Sequence, residues 1–153
     1  MNNIQSQVKE FMLAAKQACP DSPQIPPLES RILRGRLSLE EVLEFIEASG
    51  LELKLSSPSF YDKPLKMKDF EIVESGNPPD IVEIADSLAD LSYVNYGAAN
   101  TWGIDMEEIE LEVHKNNMTK FDGGWVDEHG KLRKGPSYKP VDLSLFFPEV
   151  SKN

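Results

Sequence analysis

The chain has 153 residues, 40% of them hydrophobic and 27% charged, with a formal net charge of -10. That length fits a single domain, residues 1–153, able to bury a core without disulfide or zinc staples, and the single cysteine, Cys19, has no partner for an internal disulfide. The negative charge argues against general nucleic-acid or anionic-membrane binding, both partners being polyanions, and the lack of a secretory or transmembrane apolar run predicts a cytoplasmic protein.

From Asn2 to Ala18, apolar residues including Ile4, Val8, Phe11, Met12 and Ala15 recur at spacings of three and four, the pattern of an amphipathic helix. Pro20, Pro23, Pro26 and Pro27 then forbid helix and predict a stiff extended linker. A second helix is predicted from about Glu29 to Ala48, broken near Gly35, with Ser38 capping its second half because Ser38-x-x-Glu41 has the form of a capping box. Gly50 closes it. In the next stretch Leu51, Leu53 and Leu55 alternate with polar residues, and Phe70, Ile72 and Val73 suggest a second extended piece. Residues 51–79 therefore read as a two-stranded insertion around a Pro-containing loop.

After Pro78 and Pro79 a helix is predicted from Asp80 to about Trp102, ended by Gly103. Ile81, Val82, Ile84, Ala85, Leu88, Ala89, Leu91 and Val94 leave it apolar nearly all the way round, which predicts a buried helix. Asp105 caps a fourth helix through about Thr119, with Ile109 and Val113 inward. Residues 121–153 carry Gly and Pro punctuation, a turn at His129-Gly130 and no helical period. The fold class expected is all-α: a four-helix-bundle-like metal core with a small β insertion and an irregular C-terminal segment, completed by self-association.

The second and third helices carry the informative charge. Glu40, Glu41 and Glu44 lie on the one, and Glu83, Asp86 and Asp90 form a stripe down the other. No Lys or Arg lies between Arg36 and Lys54, or between Lys68 and Lys115, so neither helix supplies its own counter-charge. Acids in an apolar setting are costly unless neutralised, and metal is the cation inferred. Carboxylates without His or Cys neighbours select hard cations, so Mg²⁺, or else Mn²⁺, is expected. Facing pairs of carboxylates could hold two ions on a polyphosphate, with Glu40 or Asp90 left to orient a water. Against this stands the plainer reading that three glutamates within five residues form a solvated face. From Lys115 to Lys139 six basic residues face three acids, as a phosphate-facing segment or a solvated loop would. His114 and His129 read as a structural hydrogen-bonder and a solvated turn residue. There is no Gly-rich phosphate loop, nucleophile elbow or Cys/His zinc spacing.

Glu41-x-x-Glu44 followed by Glu83-x-x-Asp86 resembles the paired ExxE and ExxD motifs of the all-α nucleoside triphosphate pyrophosphohydrolases, the superfamily of MazG-like proteins, phosphoribosyl-ATP pyrophosphohydrolases and dimeric dUTPases. Asp90-Leu-Ser-Tyr93 and Gly97-Ala-Ala are similar to the continuation of its metal helix, Glu112-Val-His114-Lys-Asn-Asn117-Met-Thr-Lys120 resembles its EVHxxNMxK signature, and Lys134-Gly-Pro-Ser-Tyr138 resembles its C-terminal segment. The resemblance implies a dimer or tetramer that hydrolyses a (d)NTP between the α and β phosphates. It implies Glu41, Glu44, Glu83 and Asp86 as Mg²⁺ ligands, Glu40 as the water-orienting carboxylate, and Asn117, Lys120, Lys134 and Tyr138 on the phosphates, from across a subunit boundary in some arrangements. The stretch between Glu44 and Glu83 is longer than the family pattern, which bears on the walls of the base pocket. Phe11, Met12, Tyr93, Tyr96 and Trp102 are candidates to stack on a base or simply to fill the core. The expectation from another class is a nucleotide- or metal-binding regulatory module that keeps the fold without turnover.

Overall fold

A computed structural model describes residues 4–56 and 63–148. It contains helices α1 (Ile4–Ala14), α2 (Leu28–Ala48), α3 (Ile81–Trp102) and α4 (Met106–Met118). It also has strands β1 (Leu51–Leu55), β2 (Phe70–Glu74), β3 (Trp125–Val126) and β4 (Leu132–Arg133), with short 3₁₀ turns at Met67–Asp69, Thr119–Phe121 and Ser144–Phe146. No helix among the described residues is long and apolar enough to cross a membrane.

The centre of the fold is the pair α2 and α3. They are joined by the β1–β2 hairpin, antiparallel with Leu51 opposite Glu74 and Leu55 opposite Phe70. Gly50, at φ 72°, turns the chain out of α2, and the Asp80 N–H donates to the Ala48 carbonyl at 2.9 Å, which returns the chain to the end of α2 it left. The two helices therefore run antiparallel, and the insertion caps one end of the groove between them. Asp80 caps α3 by accepting from the N–H groups of Val82 and Glu83, and Gly103, left-handed at φ 67°, ends it as the sequence predicts.

α1 docks on α3 beside α2, Gly97 of α3 facing both Arg34 of α2 and Met12 of α1. Val8 and Met12 are each only 1% exposed, and beside them Gln5 Nε2 donates to Asn100 Oδ1 (3.0 Å) and to the Ile104 carbonyl (2.7 Å). Gln5 Oε1 accepts from the Met106 N–H at 3.0 Å, so one buried amide ties α1, the end of α3 and the start of α4 together. In the last turns of α3, Gly97, Ala99, Asn100 and Thr101 are buried, being small enough for close helix approach.

Four expectations are corrected. The first helix spans Ile4–Ala14 and stops at Lys16, whose φ of 58° is incompatible with continuing it; Asn2 and Asn3 lie outside the described residues. α2 runs unbroken through Gly35, and Ser38 sits in mid-helix with its Oγ donating to the Arg34 carbonyl at 3.0 Å, so no capping box competes for Glu41. α3 is not buried all round: Ile81 is 76% and Val82 70% exposed, because α1 and α2 cover only part of its circumference. The C-terminal segment contains the β3–β4 pair, Trp125 opposite Arg133, closed by the turn at Asp127–Gly130. Ile109 is buried as expected, with Val113 half-buried.

Candidate functional site

Seven residues separate Glu41 from Arg34 and from Ala48 on α2, so all three share the face that meets α3. Glu41 is the half-buried member, and its Oε2 is enclosed with no hydrogen-bond partner among the described residues. Burial pushes its carboxyl above the ordinary carboxylate range, and the neighbouring charges of Glu44, Asp90, Glu40 and Asp86 push it the same way. Those neighbours come from both helices, Glu40 and Glu44 from α2 and Asp86 and Asp90 from α3.

Beside Glu41 a cavity of about 270 Å³ opens between the two helices, lined by Glu44, Glu47 and Ala48 of α2 and Glu83, Asp86 and Ser87 of α3. Ser87 is buried and its hydroxyl donates to the Glu83 carbonyl at 2.8 Å, so its oxygen lies in the wall. The expected ligands Glu44, Glu83 and Asp86 thus line one cavity, all three exposed like Glu40, while Glu41, a turn before Glu44 on α2, does not line it. Glu47 is a carboxylate of the cleft that the sequence reading omits. Continuing the three-residue spacing of Glu41 and Glu44 by one step would have found it.

Whether this set fits a divalent cation turns on its chemistry. The donors are oxygens only, one of them buried and orphaned, and no lysine or arginine forms an ion pair with any of them among the described residues. That composition fits a hard cation. Among the described residues no three acidic, His or Cys side chains are drawn close enough together to enclose one ion.

A second cluster forms where α4 ends. Lys120 Nζ donates to Asn117 Oδ1 at 2.7 Å and stands 5.7 Å from the centre of the Tyr138 ring, while Lys134 Nζ lies 5.2 Å from the same ring. The Tyr138 hydroxyl donates to Asn116 Oδ1 at 2.8 Å, and Asn116 Nδ2 donates to the Lys139 carbonyl at 3.0 Å, which pins the C-terminal segment to α4. All four expected phosphate contacts, Asn117, Lys120, Lys134 and Tyr138, are therefore brought together. Asn116, which holds Tyr138, is the member the sequence reading lacked. Neither Lys120 nor Lys134 has an acidic partner among the described residues. α4 lies only lightly against α2 and α3, its chief neighbour being the 3₁₀ turn that follows it.

Of the aromatic candidates, Phe11 and Tyr93 form an edge-to-face pair with centroids 5.7 Å apart at the α1–α3 seam, and the Tyr96 hydroxyl donates to Glu110 Oε2 at 3.4 Å. Met12 is core. His129, largely exposed, lies 3.5 Å from Glu128, as a solvated turn residue does.

No curated protein matches the chain. The family model of phosphoribosyl-ATP pyrophosphohydrolase matches residues 6–117, a stretch that holds every acidic residue of the cleft and ends on Asn117. The chain therefore belongs to the phosphoribosyl-ATP pyrophosphohydrolase family, and with it to the pyrophosphohydrolases.

Proposed function

We propose that the protein is a Mg²⁺-dependent nucleoside triphosphate pyrophosphohydrolase, able to use Mn²⁺ as well, that converts a (d)NTP to a (d)NMP and pyrophosphate. Its service would be nucleotide-pool cleaning or monophosphate supply, with dUTP and dGTP the leading substrates. The observation that carries this reading is Glu41, whose enclosed oxygen has no hydrogen-bond partner among the described residues and whose carboxyl feels the charges of Glu44, Asp90, Glu40 and Asp86.

In this reading Glu41, Glu44, Glu83 and Asp86 hold the metal. When bound, the divalent ions offset polyphosphate charge and acidify a water molecule. Glu40, exposed on α2, would orient that water toward the α-phosphorus and take its proton. The water oxygen bonds to the α-phosphorus as the bond from that phosphorus to the bridging oxygen breaks, and pyrophosphate leaves with the bridging oxygen. Asn117, Lys120, Lys134 and Tyr138 hold the phosphates. Because α4 stands away from the α2–α3 cleft, the basic cluster of one copy serves the cleft of another in a dimer or tetramer. The exposed apolar residues Ile32, Leu39, Val42, Ile81, Val82 and Leu88 on α2 and α3 support self-association.

Incubating the protein with Mg²⁺ and each of the common (d)NTPs, and separating the products, tests the reading. Monophosphate and pyrophosphate in equal amounts are expected. Diphosphate with orthophosphate would overturn the cleavage position, and no product from any triphosphate would overturn the activity.

A further inference from the structure

The carboxylate cavity has a neighbour at Glu47. A second cavity of about 340 Å³ lies against the β1–β2 hairpin, lined by Leu43, Ile46 and Glu47 of α2, Leu51, Glu52 and Leu53 of β1, and Ser75 and Asn77 of the return to α3. Glu47 lines both cavities, so the two adjoin as an acidic half and a mixed half. The volume lies in the range of small-ligand pockets, and the lining sets four aliphatic side chains against four polar ones.

We propose that this hairpin-side cavity receives the nucleoside of the substrate, with Asn77 reading the edge of the base and Glu47 accepting from a sugar hydroxyl at the junction. The inference rests on the proposed activity, since it takes the triphosphate to lie in the acidic half.

Three features carry it. The aliphatic side chains Leu43, Ile46 and Leu53 offer a flat base the apolar surface it needs, next to the acidic cleft that would hold the metal. Asn77 donates its backbone N–H to Ser75 Oγ at 3.2 Å, which holds the turn, while its side-chain amide makes no hydrogen bond among the described residues. One amide offers an acceptor and two donors, enough to discriminate bases by their edges. Its position is rigid. Gly50 (φ 72°) packs so closely that a Cβ there would come 2.7 Å from the Asn77 carbonyl oxygen and 3.2 Å from Pro79. Glu47 at the junction stands where the sugar must pass, and a carboxylate accepting from a ribose hydroxyl is a recurrent contact in nucleotide sites.

The test measures binding of the four α,β-imido dNTP analogues and of inorganic tripolyphosphate, each with Mg²⁺, to the full chain and to two variants. Wild type is expected to bind its preferred nucleotide more tightly than tripolyphosphate. Leu53→Trp, which fills the cavity, should weaken nucleotide binding about tenfold or more and leave tripolyphosphate nearly unchanged. Asn77→Ala, at an exposed position, should narrow the gap between the best and worst base by about three- to tenfold, the value of one hydrogen bond.

Base preference unaltered in Asn77→Ala, in a protein that still hydrolyses nucleotides, would overturn this inference and leave the activity standing. Tripolyphosphate bound as tightly as any nucleotide by wild type would also overturn it. So would a drop in assembled mass on Leu53→Trp, since a second copy would then occupy the cavity. Loss of nucleotide preference in Leu53→Trp, beside a wild type that binds nucleotides but turns none over, would sink the proposed activity and keep the pocket.

Discussion

A carboxylate oxygen placed out of water at Glu41, with Glu40, Glu44, Asp86 and Asp90 nearby, is disfavoured in its ionised form, and so its pKa is raised. An unfolded glutamate titrates near 4.3, roughly. A group whose folded pKa lies above that value adds stability fully present below the unfolded pKa and lost as pH rises through the folded one. In metal-free protein, Glu41→Gln is therefore expected to melt at a higher temperature than wild type at pH 8, with the gap closing as the pH is lowered through Glu41's raised range. Added Mg²⁺ should raise the melting temperature of wild type more than that of the variant. Equal melting temperatures across the pH range would remove Glu41 from the charge cluster. For turnover, Glu44→Ala and Asp86→Ala should each lower kcat/KM by about 100-fold or more with helical circular dichroism unchanged, as expected when a ligand to a catalytic ion is lost.

At the scale of elements, α3 shows how local signals set an end point. Its N-terminus rests on the Asp80 side chain, and Asp80→Ala should cost about 1 kcal/mol in urea denaturation. Its C-terminus rests on Gly103, where a Cβ would collide with the Ser22 carbonyl and where φ is 67°. The Gln24 N–H donating to the Trp102 carbonyl at 3.0 Å holds the proline linker against the same turn. Gly103→Ala is expected to destabilise by about 1–3 kcal/mol or more, through backbone strain together with the steric clash. An unchanged denaturation midpoint would refute the tight packing there. Both boundaries were legible because capping and left-handed backbone are chosen by one or two residues. The supposed break at Gly35 was not, since an exposed glycine lowers helix stability by an amount that packing of the remaining face overrides.

Across the whole molecule, the described core is small for the chain. Its buried hydrophobic residues are Val8, Met12, Ile46, Ala99 and Ile109, while Leu39 is 57% and Ile81 76% exposed. Residues that an all-round apolar helix would hide are left uncovered, and in the proposed dimer or tetramer a second copy supplies the missing cover. Light scattering is expected to return a multiple of the 17.2 kDa chain mass, with a melting temperature that rises with protein concentration. Leu39→Glu should shift the mass toward one chain and lower stability. A monomeric wild type would refute self-association and would leave the basic cluster at Lys120 and Lys134 without a cleft to serve.

The sequence by itself determined where α3 and α4 begin and which acids share a stripe, because caps, glycines and helical period act within one element. It also held the spacing that marks the family. Only the tertiary structure decided that Glu47 joins Glu44, Glu83 and Asp86, that Asn116 anchors Tyr138 beside two lysines, and that a second cavity adjoins the acidic one at the hairpin. The physical reason is that periodicity fixes the faces of a helix but not the rotation at which two helices meet. A one-residue turn of α2 about its axis would exchange Glu44 and Glu47 for their neighbours without altering a single local preference.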